Sequence, residues 1–110
     1  MKESIIQEKS LNFAIQIIKF YENYSKTHKD NTLSKQLLRS GTSIGANISE
    51  AMYGNSKADF ISKLHISLKE CSETIYWVTL LRRTELASEV EIKVLLENAE
   101  EIKRITYSVN

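Results

Sequence analysis

The chain has 110 residues, which is enough for one domain with a hydrophobic core and too few to add a separate catalytic domain. Its composition, with 42% hydrophobic and 26% charged residues, no proline and three glycines, is typical of a soluble globular protein built from long helices. A formal net charge of +1 argues against a protein whose whole surface binds polyanions.

No stretch of the sequence resembles a membrane span or an export signal. The apolar runs are far shorter than the roughly 20 residues that cross a bilayer. The N-terminal segment, MKESIIQEKS, carries charges where a signal peptide is apolar. The single Cys71 cannot form an internal disulfide. We therefore expect a cytoplasmic protein with no membrane contact.

Apolar residues at helical spacing predict a first helix from about Ser4 to Tyr24 or a little beyond. Its expected inner face is Ile6, Ser10, Phe13, Ile17, Phe20, Tyr21 and Tyr24. The polar segment over residues 25–31 has no periodicity and is the expected first connection. Thr32 is then the expected N-cap of the second helix, because its hydroxyl can accept from a free N–H of the first turn.

The second helix, predicted over residues 33–53, carries two stripes that lie side by side. The inner stripe is Leu37, Gly41, Ile44, Ile48 and Ala51. The other stripe is small and polar and consists of Ser40, Ser43, Asn47 and Glu50. Each of the two helical glycines costs about 1 kcal/mol relative to alanine, so a neighbouring helix must approach closely enough to offset that cost.

The predicted packing motif is Gly41, Ser43, Gly45, Asn47 and Glu50. Buried polar side chains need hydrogen-bond partners. The expected partners are Ser40, Ser43, Lys69, Glu70 and Glu73. Ligand binding by Asn47 and Glu50 is the alternative that this pattern leaves open.

Gly54 and Asn55 end the second helix, and Gly54 is expected in the left-handed conformation. Ser56, with Asp59 three residues later, predicts the start of a third helix that runs to about Thr84. Its expected core face is Phe60, Ile61, Leu64, Leu68, Cys71, Ile75 and Val78.

The segment Ile75 to Leu81 is apolar all round the third helix, which is typical of a helix buried on every side. A small bundle leaves such a segment partly uncovered. This pattern therefore predicts a homo-oligomer. The expected interface residues are Tyr76, Trp77, Leu80 and Leu81.

Ser88 and Glu91 form a capping box that predicts the fourth helix after a short connection around residues 85–87. Its inner stripe is Ile92, Leu95, Ala99, Ile102, Thr106 and Val109. Because short links make sequential helices antiparallel, the prediction is an all-α, up-down-up-down four-helix bundle that forms one domain over residues 1–110.

Three sequence runs carry a family resemblance: QLLRSGTSIGANISEA, SKADFISKL and LKECSETIYWVTLL. The motif positions are Arg39, Ser43, Ile44, Asn47, Ile48 and Glu50. Nearly the whole chain resembles the bacterial 23S ribosomal RNA intervening-sequence proteins, although it lacks a proline that is often found in their first connection. The resemblance implies a homopentameric barrel. It also implies kinship with accessory proteins of diversity-generating retroelements, which bind nucleic acid and a reverse transcriptase.

No catalytic, cofactor or metal site is predicted, and we do not expect an enzyme. His28 and His65 have no metal-ligand spacing around them. Cys71 lies within an apolar stripe and is expected to be a buried, unreactive thiol.

A weak and nonspecific nucleic-acid-binding site is predicted from six basic residues. They are Lys35, Arg39, Arg82, Arg83, Lys103 and Arg104. For the basic residues near helix C-termini, a favourable interaction with the helix dipole explains the presence of a positive charge equally well. Two functions therefore remain open, a nucleic-acid-binding accessory protein and a protein–protein scaffold without nucleic acid.

Overall fold

The structure is a computed structural model in which residues 2–109 are described, with side chains from residue 5 onward. The predicted domain limits include Met1 and Asn110, which lie outside the described residues. Four helices follow each other: α1 (Lys2–Thr27), α2 (Thr32–Met52), α3 (Lys57–Arg83) and α4 (Glu89–Val109). The prediction of an all-α four-helix bundle is confirmed.

Each helix packs against two neighbours in the order α1, α2, α3, α4 and back to α1, so α1 and α3 occupy opposite corners. The contact between α2 and α3 is the most extensive and that between α1 and α4 the least. The bundle measures 44 × 20 × 19 Å. No helix in the described part of the chain is long and apolar enough to cross a membrane.

The core contains the inner stripes predicted for α1, α2 and α4, except that Tyr21 and Val109 are only half-buried, together with residues of α3. Ile17, Ile44, Ile48 and Ile102, for example, are almost fully buried. Each such side chain contributes about 1.5–3 kcal/mol through its removal from water. Hydrophobic burial between four amphipathic helices therefore accounts for the fold.

The core face of α3 differs from the prediction. Phe60, Ile61, Leu68 and Ile75 are only half-buried. The residues of α3 that are buried are Leu64, Ser67, Cys71, Thr74, Val78 and Leu81. The buried face is rotated toward α2, and it includes two hydroxyl side chains that a search for apolar periodicity passes over.

The N-terminus of α2 is capped differently from the prediction. Asn31 occupies the N-cap position without a side-chain hydrogen bond, and Thr32 is the first helical residue. The Asp30 carboxylate accepts hydrogen bonds from the Thr32 backbone N–H (2.9 Å) and hydroxyl (2.7 Å). These two bonds lower the pKa of Asp30. Thr32 is therefore not the N-cap, because its hydroxyl donates to Asp30.

The left-handed residue also lies elsewhere than expected. Among the described residues no glycine has a positive φ, whereas Glu85, after α3, has φ 58°. The Glu85 N–H donates to Arg82 O (3.1 Å) and the Leu86 N–H to Leu81 O (3.0 Å). This is the Schellman pattern that ends many helices.

The two predicted serine caps are present. Ser56 accepts from the Asp59 N–H at 3.1 Å. Ser88 accepts from the Glu91 N–H at 3.3 Å and donates to the Glu91 carboxylate at 3.0 Å. The bonds from the Asp59 and Glu91 N–H groups satisfy donors that the first turn of a helix leaves free.

Candidate functional site

The glycines of α2 lie against α1. A Cβ atom added at Gly41 would come within 2.9 Å of Ile17 Cγ1, and one added at Gly45 within 3.2 Å of the Ser10 backbone oxygen. Contacts this short leave no room for a side chain without movement of α1. The two glycines therefore allow the close approach of these helices, and that packing offsets their low helix propensity.

Buried hydroxyl groups connect α2 to α3. The Thr74 hydroxyl donates to the Ser40 hydroxyl at 2.9 Å, and the Ser67 hydroxyl donates to the Ile44 backbone oxygen at 3.0 Å. All three polar side chains are fully buried. Since a buried hydroxyl without a partner is costly, these bonds favour one relative position of α2 and α3.

The remaining polar residues of the predicted packing motif make local contacts. Ser43 donates to the Arg39 backbone oxygen at 2.7 Å, and the Asn47 amide donates to the Ser43 backbone oxygen at 2.8 Å. Glu50 forms an ion pair with Lys63 of α3 at 2.8 Å. Of the partners that the sequence offers, Asn47 thus bonds to Ser43, through the backbone oxygen of that residue, while the carboxylates of Glu70 and Glu73 hold Arg39.

Arg39 is the centre of a charged cluster on the surface between α2 and α3. Its guanidinium contacts Glu70 at 3.3 Å and also contacts Glu73, which accepts a hydrogen bond from Trp77 Nε1 at 3.1 Å. The hydrogen bond from Trp77 lowers the pKa of Glu73, and Arg39 lowers it further. Bonds to Glu70 and Glu73 raise the pKa of Arg39. The positive charge of Arg39 is thus compensated within the chain.

The six basic candidates do not form one patch. Arg82 pairs with Glu89, while Lys35 and Arg83 are exposed near the same end of the bundle. Lys103 and Arg104 lie nearer the opposite end, where α4 finishes. Arg104 borders a shallow hollow together with Glu97, Glu100 and Glu101. Of the six, Lys35 and Arg83 are therefore the two that are exposed near one end of the bundle without an ion pair among the described residues.

The predicted interface on α3 is only partly at the surface. Tyr76 is 57% exposed, and its ring meets that of Trp77 edge-on with the ring centroids 5.1 Å apart. Trp77 and Leu80 are half-buried. Leu81 is 0% exposed within one chain, so its assignment to a subunit interface is wrong. The sequence did not show that Leu81 faces the core, because apolar residues surround the helix there.

An exposed apolar row on α1 lies outside the predicted interface. Leu11, Ile15 and Ile18 are 57%, 45% and 42% exposed. Beside them a groove of about 350 Å³ lies between α1 and α2. Its lining is Gln7, Ser10, Leu11, Ala14, Thr42, Gly45, Ala46 and Ser49. The row follows helical spacing, so a search of α1 for a second apolar stripe would have found it.

Cys71 and His28 occupy structural positions. Burial raises the pKa of the Cys71 thiol to about 12, with a smaller contribution from Glu70 and an opposing one from Lys103. A thiol protonated at neutral pH is a poor nucleophile. The His28 ring stacks on Tyr24 with centroids 3.8 Å apart. Within residues 2–109, no three His, Cys, Asp or Glu side chains are grouped to hold a metal ion.

Comparison with known proteins identifies the family. Residues 2–108 match the 23S rRNA-intervening sequence proteins. A crystal structure from Bacteroides thetaiotaomicron VPI-5482, described as a protein of unknown function from the S23 ribosomal protein family, is 45% identical and superposes with a TM-score of 0.96. The similarity covers 99% of this chain and 97% of the other. No curated protein matches the sequence. The chain belongs to the 23S rRNA-intervening sequence protein family.

Proposed function

We propose that this protein is a non-catalytic interaction module that assembles into a homo-oligomer. The observation that carries the proposal is the apolar surface of the single chain, where Leu11, Ile15 and Ile18 lie in one row and Tyr76 projects from the opposite corner. Contiguous apolar patches on small proteins mark interaction sites. The number of subunits, five, comes only from the resemblance to intervening-sequence proteins.

The chemistry of the polar groups supports a non-catalytic role. Cys71 is buried with a protonated thiol, and the carboxylates of Glu70 and Glu73 are engaged by Arg39. A general base or a nucleophile needs a free, suitably ionised group beside a cavity that admits substrate. These groups instead stabilise the bundle.

Gel filtration coupled to light scattering tests the assembly. One chain has a mass of 12.6 kDa, so five copies would give about 63 kDa (5 × 12.6). A mass near 12.6 kDa throughout the micromolar range would refute the proposal. A charged residue at Trp77 should split the oligomer, but Trp77 also packs against the core and bonds Glu73.

A cleaner variant is therefore Tyr76→Lys, since this side chain is largely exposed. We expect it to weaken association while the helical content stays unchanged. Tyr107→Lys is the matched control, because Tyr107 on α4 is 72% exposed and lies outside the proposed apolar surface. Equal loss of association in both variants would point to a general effect of added charge.

A second candidate function is weak nucleic-acid binding, with RNA, DNA or a reverse transcriptase as the partners that the resemblance implies. The observation in its favour is that Lys35 and Arg83 are exposed near one end of the bundle. Repetition of this pair in an oligomer would multiply the phosphate contacts. Since counterion release governs such binding, affinity should fall steeply with salt, with a log–log slope of roughly 0.9 per phosphate contacted on duplex DNA.

Fluorescence anisotropy with labelled RNA and DNA across a salt series tests this function. We expect Lys35→Ala/Arg83→Ala to weaken binding and reduce the salt slope. Arg39→Ala/Arg82→Ala removes the same charge from ion-paired positions and should have less effect. If the assembled wild type does not bind at about 50 mM salt, the scaffold without nucleic acid replaces this candidate.

A further inference from the structure

Five exposed residues of α1 form one stripe, which we call the α1 stripe. They are Glu8, Leu11, Ile15, Ile18 and Glu22. The successive spacings of three and four residues place all five on one side of a helix. An acidic residue stands at each end and three large aliphatic side chains lie between them. At 1.5 Å per residue, the two glutamates are about 21 Å apart along the axis.

A second stripe on α3 has the same length and the opposite charge. Lys69, Tyr76 and Arg83 are exposed and follow each other at intervals of seven residues, which is one side of a helix. The half-buried Leu80 lies between Tyr76 and Arg83. The two cations are again about 21 Å apart. We call these four residues the α3 stripe.

We propose that the α1 stripe of one copy packs against the α3 stripe of a second copy. This inference rests on the proposed self-assembly and names the two surfaces that it uses. In this contact, acidic ends meet basic ends and the apolar centres cover each other. Arg83 then pairs with a glutamate of α1, so this contact and phosphate binding are competing uses of the same side chain. Because both ends of a stripe carry the same sign of charge, the match holds for either relative direction of the two helices.

The neighbouring charges do not oppose this pairing on the α3 side. Glu73 is held by Arg39 and Trp77, so its negative charge is already compensated. On α1, the nearby charges of the other sign are Lys19 and Lys26, and each lies within about one turn of Glu22 on the same helix. Exposed ion pairs of this kind contribute specificity more than affinity. The affinity then comes from burial of the aliphatic and aromatic centre.

The two stripes cannot meet within one chain, because α1 and α3 occupy opposite corners of the bundle. The contact is therefore between copies, and it joins two different surfaces. Such a heterologous contact leaves one stripe of each kind free until a ring closes. A stable interface buries about 800 Å² per copy, and the α1–α2 groove beside Leu11 offers adjoining surface for the contact.

Charge reversal tests the pairing. In Glu8→Lys/Glu22→Lys both stripes are positive, and in Lys69→Glu/Arg83→Glu both are negative. We expect each variant alone to need at least about tenfold higher concentration to associate, because like charges then face each other. In an equimolar mixture each stripe of one variant opposes a stripe of opposite charge on the other, so association should recover through contacts between the two variants. A five-membered ring cannot alternate them throughout, so it should hold the two variants in a ratio of three to two. Light scattering and native mass spectrometry measure both effects.

Two variants on α4 control for net charge. Glu97→Lys/Glu100→Lys and Lys93→Glu/Arg104→Glu make the same changes at exposed positions outside both stripes and should associate as the wild type does. Retained association of both stripe variants would overturn the pairing while leaving self-assembly intact. Loss of association without recovery on mixing would also overturn it. A wild type that is a single chain would refute the proposed assembly and this inference together.

Discussion

The hydroxyl of Thr74 on α3 donates a 2.9 Å hydrogen bond to the hydroxyl of Ser40 on α2, and both side chains are fully buried. Ser40 in turn lies 3.4 Å from the Leu37 backbone oxygen, to which it donates. A slide of one helix along the other would break the bond between the two hydroxyls. The pair therefore penalises other registers in the most extensive helix contact of the bundle.

Thr74→Val should destabilise the protein by about 1 kcal/mol, because it removes the donor and leaves a buried acceptor on Ser40 unsatisfied. Thr106→Val is the matched control. Thr106 is equally buried, and its hydroxyl has no hydrogen-bond partner among the described residues. That replacement should be neutral or stabilising. Urea unfolding curves of the two variants measure the difference, and equal destabilisation would contradict the assigned role of the Ser40–Thr74 bond.

Gly45→Leu should destabilise the protein by about 1 to 3 kcal/mol, because its Cβ atom would press on the backbone of α1. Asn47→Leu would be similarly harmful if the Asn47 side chain bonded across to α3. In the structure, however, the Asn47 amide bonds only to the carbonyl of its own helix at Ser43, which is an ordinary helix acceptor. We therefore expect a change within about 0.5 kcal/mol. Thermal melts that rank the two variants in the reverse order would contradict this assignment.

Acidification should weaken the contacts of Glu73. Its pKa lies below the usual value of 4.5 because the carboxylate accepts from Trp77 and pairs with Arg39. The stability that it contributes is thus present above about pH 4.5 and is lost as the pH falls through the lower folded-state pKa. Trp77 is the single tryptophan, so its fluorescence reports the change. Glu73→Gln should abolish the transition, and an unchanged transition in that variant would assign it to other carboxylates.

Glu85→Gly should stabilise the protein by about 1 kcal/mol, because glycine adopts the left-handed conformation without the steric cost that other residues carry. Thr84→Gly is the control. Thr84 has φ −89°, and its hydroxyl donates to the Leu80 backbone oxygen at 2.7 Å, so glycine there should destabilise. Chemical denaturation compares them. Destabilisation by Glu85→Gly would mean that the side chain contributes more than its backbone strain costs.

Hydrophobic periodicity predicted the four helices because each one buries a continuous inner stripe. The first helix ends at Thr27, a little beyond Tyr24, since the polar residues after Tyr24 still complete a helical turn. Thr32 was misassigned as an N-cap because Asp30, two residues earlier, takes its hydroxyl. Gly54 was a reasonable choice for the left-handed position, but Glu85 takes that conformation after α3. Which residue caps a helix, and which residue adopts the left-handed conformation, depends on tertiary packing more than on residue type.

The candidate site was less accessible to sequence analysis than the fold. Basic residues were selected by charge, and the sequence does not show that Arg39 and Arg82 have acidic partners on other helices. Where a helix is apolar all round, the sequence does not show which side chains face the core. For this reason the prediction places Leu81 at an interface. Ser67 and Thr74 were missed because polar residues break an apolar stripe even when they face the core.

The sparse contact between α1 and α4 bears on the order in which the molecule folds. It joins groups far apart along the chain, such as Lys9 with Glu101 at 3.2 Å and Gln16 with Asn98 at 2.9 Å. By contrast, α2 and α3 are joined by a short turn and share the largest contact. Since distant ends cost more entropy to bring together, the α2–α3 hairpin should form first and the α1–α4 seam close last. Amide hydrogens along α1 and α4 should then exchange through partial opening, while those of α2 and α3 require global unfolding.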